Sequence, residues 1–233
     1  MNTQFLQIQP GTNAADMTST SSNETTMSIL DLMSSGGIGG ILIMVFLGIL
    51  SVMAIYIFLE RFGAIRNANK VDPNFMNNIK DMVMDGKLES AQALCAEEST
   101  PVARMIEKGI SRIGKPLSDI TQAIENQGKL EVTRLEKGLP MLATISGGAP
   151  MIGFLGTVIG MIITFMEMSA GGQVELVQMA GGIYTAMTTT VAGLLVGILA
   201  YFGYNYLVTR VDKVVYKLED GAMAFLDLLH EPA

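Results

Sequence analysis

The chain has 233 residues, 49% of them hydrophobic, with 22 acidic and 15 basic side chains and a net charge of −7. That balance excludes a nucleic-acid surface, which needs clustered positive charge, and a single cysteine, Cys95, excludes an intrachain disulfide. The apolar residues are too unevenly spread for a soluble domain, because no Asp, Glu, Lys or Arg occurs within 32–59, 138–166 or 176–209.

In chain order, residues 1–36 open polar, rich in Ser, Thr and Asn, without the basic n-region of a secretory signal peptide. They read as an external tail ending in a short helix. Residues 37–59 form a first transmembrane helix, longer than the roughly 20 apolar residues a bilayer core requires. Its glycines do not count against it, since Gly is common in membrane helices. Residues 60–138 are amphipathic at helical spacing. Phe75, Ile79, Met82 and Val83 are followed, after Gly86, by Leu88, Ala91, Leu94 and Cys95. Val102, Met105, Ile106 and Ile110 come next, then Ile120, Ile124, Leu130 and Leu135. Asp72-Pro73 and Ser99-Thr100-Pro101 are turn and helix-start signals. A segment of this size makes a poor independent core. It reads as a cytoplasmic helical domain of inward extensions of the membrane helices, packed together or against other subunits. The 12 basic and 11 acidic residues from Arg61 to Lys137 form its solvated face. A second span over 139–167, an external loop over 168–177, a third span over 178–208 and a final polar helix over 209–233, with a solvated His230, complete an all-α membrane protein.

Charge orients the spans. Twelve basic residues lie between the first and second spans, three follow the third, and none lies in the first 60 residues or in the loop 168–177. By the positive-inside rule the N-terminus is outside and the C-terminus inside. The chain offers no Gly-rich phosphate loop, metal-ligand spacing, nucleophile–base pair, or Ser–His or Asp–Asp pair at membrane depth. It therefore reads as no enzyme, with no catalytic residue, metal or cofactor.

The second span carries a stripe of small residues. Ser146, Pro150, Gly153, Thr157, Gly160 and Thr164 recur at spacings that hold one helix face. Met151, Leu155, Val158, Ile162 and Phe165 occupy the others. Such a stripe means close helix packing of the small-xxx-small kind, with Gly153 and Gly160 at the contact, or the wall of a cavity with Thr157 and Thr164 as its hydroxyls. On the third span Gly182, Thr185, Thr189, Ala192 and Val196 share one face, and Ala186, Thr190, Gly193 and Gly197 an adjacent one. Thr188 to Thr190 fan over about 200° of helix, so they cannot all meet one partner. Thr185 and Thr189 are expected toward a central space and Thr190 toward the second span. The small faces of both spans are expected to need partners from other copies of the chain. Glu167 and Glu175 bracket the outer loop as pore-entrance residues. Neither span holds a carboxylate, His or Lys at depth, so a proton site needs an acid from elsewhere. Walls of hydroxyl oxygens suit Na⁺ equally.

"LATISGGAPMIGFLGTVIGMIITF" and "GGIYTAMTTTVAGLLVGILAYFGYNYL" resemble the two signature helices of the ExbB/TolQ/MotA family. The pattern L-x-x-I-x-x-x-A-P-x-x-G-x-x-G-T-V-x-G-M-I is specific, and three spans favour the ExbB/TolQ branch over MotA, which has one more. The resemblance implies a homopentameric ring in the bacterial inner membrane, N-terminus periplasmic and C-terminus cytoplasmic. The ring encloses a dimer of an ExbD-like single-span partner that carries an intramembrane Asp. The resemblance further implies proton-driven conduction, coupled through a TonB-like protein to outer-membrane transport. By position, the family's channel threonines fall on Thr157 and Thr190. This chain departs from the family at Thr185, where many ExbB chains have Glu, and at 196–200, which lacks the usual proline. A TolQ-like or gliding-type motor, with H⁺ or Na⁺, and a non-conducting scaffold are the alternatives.

Overall fold

The computed structural model describes residues 37–70, 72–169 and 176–230. The expected external tail, most of the outer loop including Glu175, and the last three residues lie outside them. Every element among the described residues is a helix: α1 (Gly37–Ala68), α2 (Phe75–Met84), α3 (Leu88–Glu97), α4 (Pro101–Ile110), α5 (Leu117–Glu136), α6 (Leu139–Ser169) and α7 (Leu176–His230). α1, α6 and α7 have 32, 31 and 55 residues. At 1.5 Å per residue they run about 48, 46 and 82 Å, against a bilayer core of about 30 Å. All three are long and apolar enough to cross a membrane. Large apolar side chains cover their outer faces, among them Met151, Phe154 and Phe165 on α6 and Leu195, Leu199 and Phe202 on α7.

Local chemistry sets the breaks. Gly86 and Gly138 adopt φ of 73° and 86°, a region that costs a residue with a Cβ. The first turns α2 into α3 and the second separates α5 from α6. Asp72 Oδ1 accepts from the Asn74 amide at 2.9 Å ahead of α2, the Asx turn that Asp-Pro announces. Thr100 caps α4 by accepting from the Ala103 amide at 3.3 Å, with Pro101 in the first turn.

Beyond the membrane run, α7 becomes the spine of the polar domain. Leu207, Val211, Val214, Leu218, Gly221, Phe225 and Leu228 are all buried. They alternate in steps of four and three, a heptad seam. Val102, Met105 and Ile106 of α4 and Ile120 and Ile124 of α5 join them in one core. Gly109 is tied to this contact, because a Cβ there would lie 2.8 Å from Phe225 Cε1 and 2.9 Å from Ile124 Cδ1. The polar domain thus leans on the extension of its own third span.

Residues 209–230 belong to α7. α7 runs unbroken to His230, since the seam continues across the boundary without a proline. Leu130 is not on the buried face of α5 but 56% exposed, whereas Glu131 is 1% exposed. Its carboxylate accepts from Arg104 at 2.6 Å, Arg134 at 2.8 Å and Gln127 at 3.0 Å. Three donors make burial of the charge tolerable, so the charged residues of this domain do not form only a solvated face.

Phe225→Ala should lower stability by about 3–5 kcal/mol, as for other buried aromatic truncations. Met223→Ala, at a position 61% exposed, should change it little. Thermal unfolding of the two purified variants checks the difference.

Candidate functional site

α6 and α7 run antiparallel, and small residues let their backbones touch. A Cβ on Gly197 would lie 2.5 Å from Pro150 Cγ and 3.0 Å from the Ser146 carbonyl oxygen. One on Gly193 would lie 2.5 Å from the Ala149 carbonyl oxygen and 2.9 Å from Gly153 Cα. The series continues with Gly153 against the Thr189 carbonyl, Gly156 against the Thr189 side chain, Gly160 against Ala186 Cβ and Gly182 against Thr164. As residue numbers rise along α6 in steps of three or four, those of the facing residues fall along α7 in steps of three or four. The stripe on α6 and the small faces of α7 therefore bury one another within a single chain. This corrects the expectation that other copies are needed to cover them.

The close approach concentrates oxygen atoms near the middle of both helices. Thr190 Oγ1 lies 3.1 Å from the Gly153 carbonyl oxygen and contacts Thr157 Oγ1 directly. Thr157 Oγ1 also lies 3.5 Å from the Gly153 carbonyl oxygen and 3.4 Å from that of Ala186, so either hydroxyl can donate to the other and the oxygens of Thr157, Thr190 and Gly153 form one chain. Thr189 Oγ1 lies 2.7 Å from the Ala186 carbonyl oxygen and 3.1 Å from that of Gly153. Thr157 and Thr190 are half-buried and Thr189 is buried. Thr189 packs against Gly156 of α6.

The other candidates lie elsewhere. Thr164 is buried and donates to the Gly160 carbonyl at 3.0 Å. Thr185 donates to the Gly181 carbonyl at 2.9 Å. Both, with Thr189, line a cavity of about 300 Å³ between α1, α6 and α7, together with Gly39, Ile43 and the exposed Glu167. Glu167 therefore stands at one mouth of a cleft, and Glu175 lies outside the described residues. The Gly153 carbonyl, on which the hydroxyls converge, was not foreseen because a backbone acceptor leaves no mark in a sequence. Gly156 was also missed as a contact point. The spacing of Gly156 and Gly160 was the available signal.

Chemically, this cluster can orient water, accept a hydrogen bond from an acid, or offer neutral oxygens to a cation. It cannot itself take up a proton, as no carboxylate, His or Lys belongs to it. In the polar domain, Cys95 is no nucleophile either, because burial, with Glu107 nearby, pushes its thiol up to about 12.

The description "MotA/TolQ/ExbB proton channel family" fits residues 97–220, from the end of α3 through most of α7. The chain belongs to this family. Its relatives include an ExbB homolog from Methanothermobacter thermautotrophicus, named for biopolymer transport. It is 30% identical over 82% of this chain and 67% of its own length. The Tol-Pal system protein TolQ of Haemophilus influenzae is 36% identical over 44% of this chain and 45% of its own length. The biopolymer transport protein ExbB of Xanthomonas campestris is 29% identical over 64% of this chain and 61% of its own length. The family match spans the α6–α7 zipper in full.

Gly193→Ala must push against the Ala149 backbone and should cost about 1–3 kcal/mol. Gly148→Ala, where a Cβ meets nothing within 4 Å, should be neutral or gain up to about 1 kcal/mol in helix propensity. Denaturant titration of both variants in one detergent checks the contrast.

Proposed function

We propose that this chain is the channel subunit of an ExbB–ExbD-type motor in the bacterial inner membrane. Its N-terminus is periplasmic, and its polar domain and C-terminus are cytoplasmic. Five copies form a ring around a dimer of a single-span partner whose intramembrane Asp supplies the acid this chain lacks. Proton flow through the assembly moves the partner, and a TonB-like protein passes that motion to outer-membrane transport.

The observation that carries this reading is the chain of oxygens from Thr157 through Thr190 to the Gly153 carbonyl. Thr157 stands about 27 Å along α6 from its start and Thr190 about 21 Å along α7 from its start. Both are near mid-membrane for a bilayer of about 40–45 Å with headgroups. A carboxylate arriving there would meet hydroxyls that can donate to its ionised form or accept from its protonated form. Each elementary charge crossing 100 mV releases about 2.3 kcal/mol, so repeated passage can drive motion where binding alone cannot.

The glycine zipper favours a second reading, that of a non-conducting scaffold in which the threonines only satisfy one another. The likeness to TolQ supports a third, a Tol-type role for the same channel.

Reconstitution with the single-span partner in liposomes separates conduction from packing. Thr157→Val and Thr190→Val should assemble as the wild type but lose about tenfold or more of partner-dependent proton flux, the scale of one hydrogen bond to a charged group. Thr→Ser at either site should retain part of it. Wild-type flux from the valine variants would leave only the scaffold. Flux driven by a sodium gradient in place of a proton gradient would change the ion.

A further inference from the structure

Where the membrane run of α7 ends, α1 and α7 lie parallel and in step. A Cβ on Gly203 would sit 3.1 Å from Phe58 Cδ2. The Phe62 and Tyr206 rings stack with centroids 6.1 Å apart, and Lys217 donates to the Asn69 carbonyl at 2.9 Å. That register sets Arg66 level with Arg210, which is the first charge after the uncharged run 176–209. Both guanidinia therefore stand at headgroup depth, among the aromatic rings that favour a membrane interface.

Arg66 and Arg210 line one pocket of about 230 Å³ with Phe62, Asn69 and Tyr206. Neither has a carboxylate partner among the described residues. Arg210 donates from Nε and Nη2 to the Tyr206 hydroxyl, at 3.2 and 2.9 Å. Its guanidinium carbon lies 5.1 Å from the Tyr206 ring centroid. The Tyr206 hydroxyl accepts both bonds and keeps its own proton to donate. Asn69 Oδ1 is buried there with no hydrogen-bond partner. The basic Arg61, by contrast, is already held by Glu60 and the Arg134 carbonyl.

Tyr206 also borders a second, apolar cleft of about 510 Å³, which continues toward the span centre between Ile55, Phe58, Leu199 and Phe202. Two unpaired guanidinia, a hydroxyl donor and a buried acceptor thus sit at the head of an apolar groove. Basic pockets between membrane helices recognise anionic headgroups in this way.

We propose that this two-part cleft binds one anionic phospholipid with a hydroxylated headgroup. Its phosphate lies between Arg66 and Arg210, a headgroup hydroxyl donates to Asn69 Oδ1, and an acyl chain fills the groove. The site does not depend on conduction or on which leaflet the pocket faces. A soluble phosphate would satisfy the arginines but leave the groove unused, so the occupant is the lipid.

Native mass spectrometry of the purified full-length chain, equilibrated with equal amounts of phosphatidylglycerol and phosphatidylcholine, tests this. The wild type should retain phosphatidylglycerol over phosphatidylcholine by about tenfold or more, the scale expected for two basic residues at a membrane surface. Arg66→Gln with Arg210→Gln should bring the two lipids to parity. Ile55→Trp, which fills the groove without altering charge, should reduce retention of both. Lys137→Gln, an exposed basic residue beside the start of α6, should leave the preference intact. Equal retention by the wild type would overturn the site. Displacement of the bound lipid by excess inorganic phosphate would assign the arginines to a soluble anion instead. An oligomer that excludes both lipids would give the groove to a neighbouring copy.

Discussion

Where Gly153 meets Gly193, two helix backbones lie closer than any side chain would permit, and the rest of the membrane portion follows from that contact. Lipid tails are as apolar as leucine, so membrane helices gain little from hydrophobic burial against each other and associate through close packing and interhelical hydrogen bonds. α6 and α7 use both. Gly, Ala and Ser remove the bulk, and the threonines fill the resulting narrow seam with hydroxyls bonded to backbone carbonyls across it. Without the glycines the hydroxyls of Thr157 and Thr190 could not meet. Without the hydroxyls, the Gly153 carbonyl would lose its partners on α7. Pro150, which lacks an amide proton, falls where Gly197 makes room for its ring.

The same helix that forms the zipper also organises the polar domain. α7 leaves the membrane run near Arg210 and continues without a break, so the seam from Leu207 to Leu228 is rigidly joined to the face that carries Thr190. Three shorter helices, α2, α4 and α5, pack on that seam, and the buried Glu131, held by Arg104 and Arg134, ties α4 to α5. A displacement of α7 within the membrane would thus reach the polar domain through continuous helix rather than through a flexible joint. That continuity is what a subunit would need if events at mid-membrane are to be felt at its polar end.

Much of this was legible in the sequence, and the exceptions have physical causes. Charge-free runs mark the spans because a bilayer tolerates few charges, and the steps from Ser146 to Thr164 mark one face of α6 because helical period leaves no other reading. Gly86, Thr100 and Pro101 announce their turns and cap. The identity of the facing surface was not legible, since a stripe of small residues fits a second helix, another copy or a cavity equally well. Only the matching stripe from Gly182 to Gly197, read in reverse, resolves it. Leu130 and Glu131 exchanged places because periodicity ranks residues by hydrophobicity and cannot see three donors converging on one carboxylate. The heptad seam of α7 was present in the sequence but masked by the charges interleaved with it.

The pairing of Thr157 with Thr190 inside one chain can be tested directly by cysteine cross-linking. Thr157→Cys and Thr190→Cys, introduced together with Cys95→Ala, place two thiols at the contact and remove the native one. Mild oxidation of the protein in its membrane should give an intrachain disulfide. The product would be a monomer band of altered mobility that reverts on reduction, with an intact mass lower by two hydrogen atoms. Covalent dimers in its place, or thiols that remain free, would contradict the contact on which the seam and the oxygen chain depend.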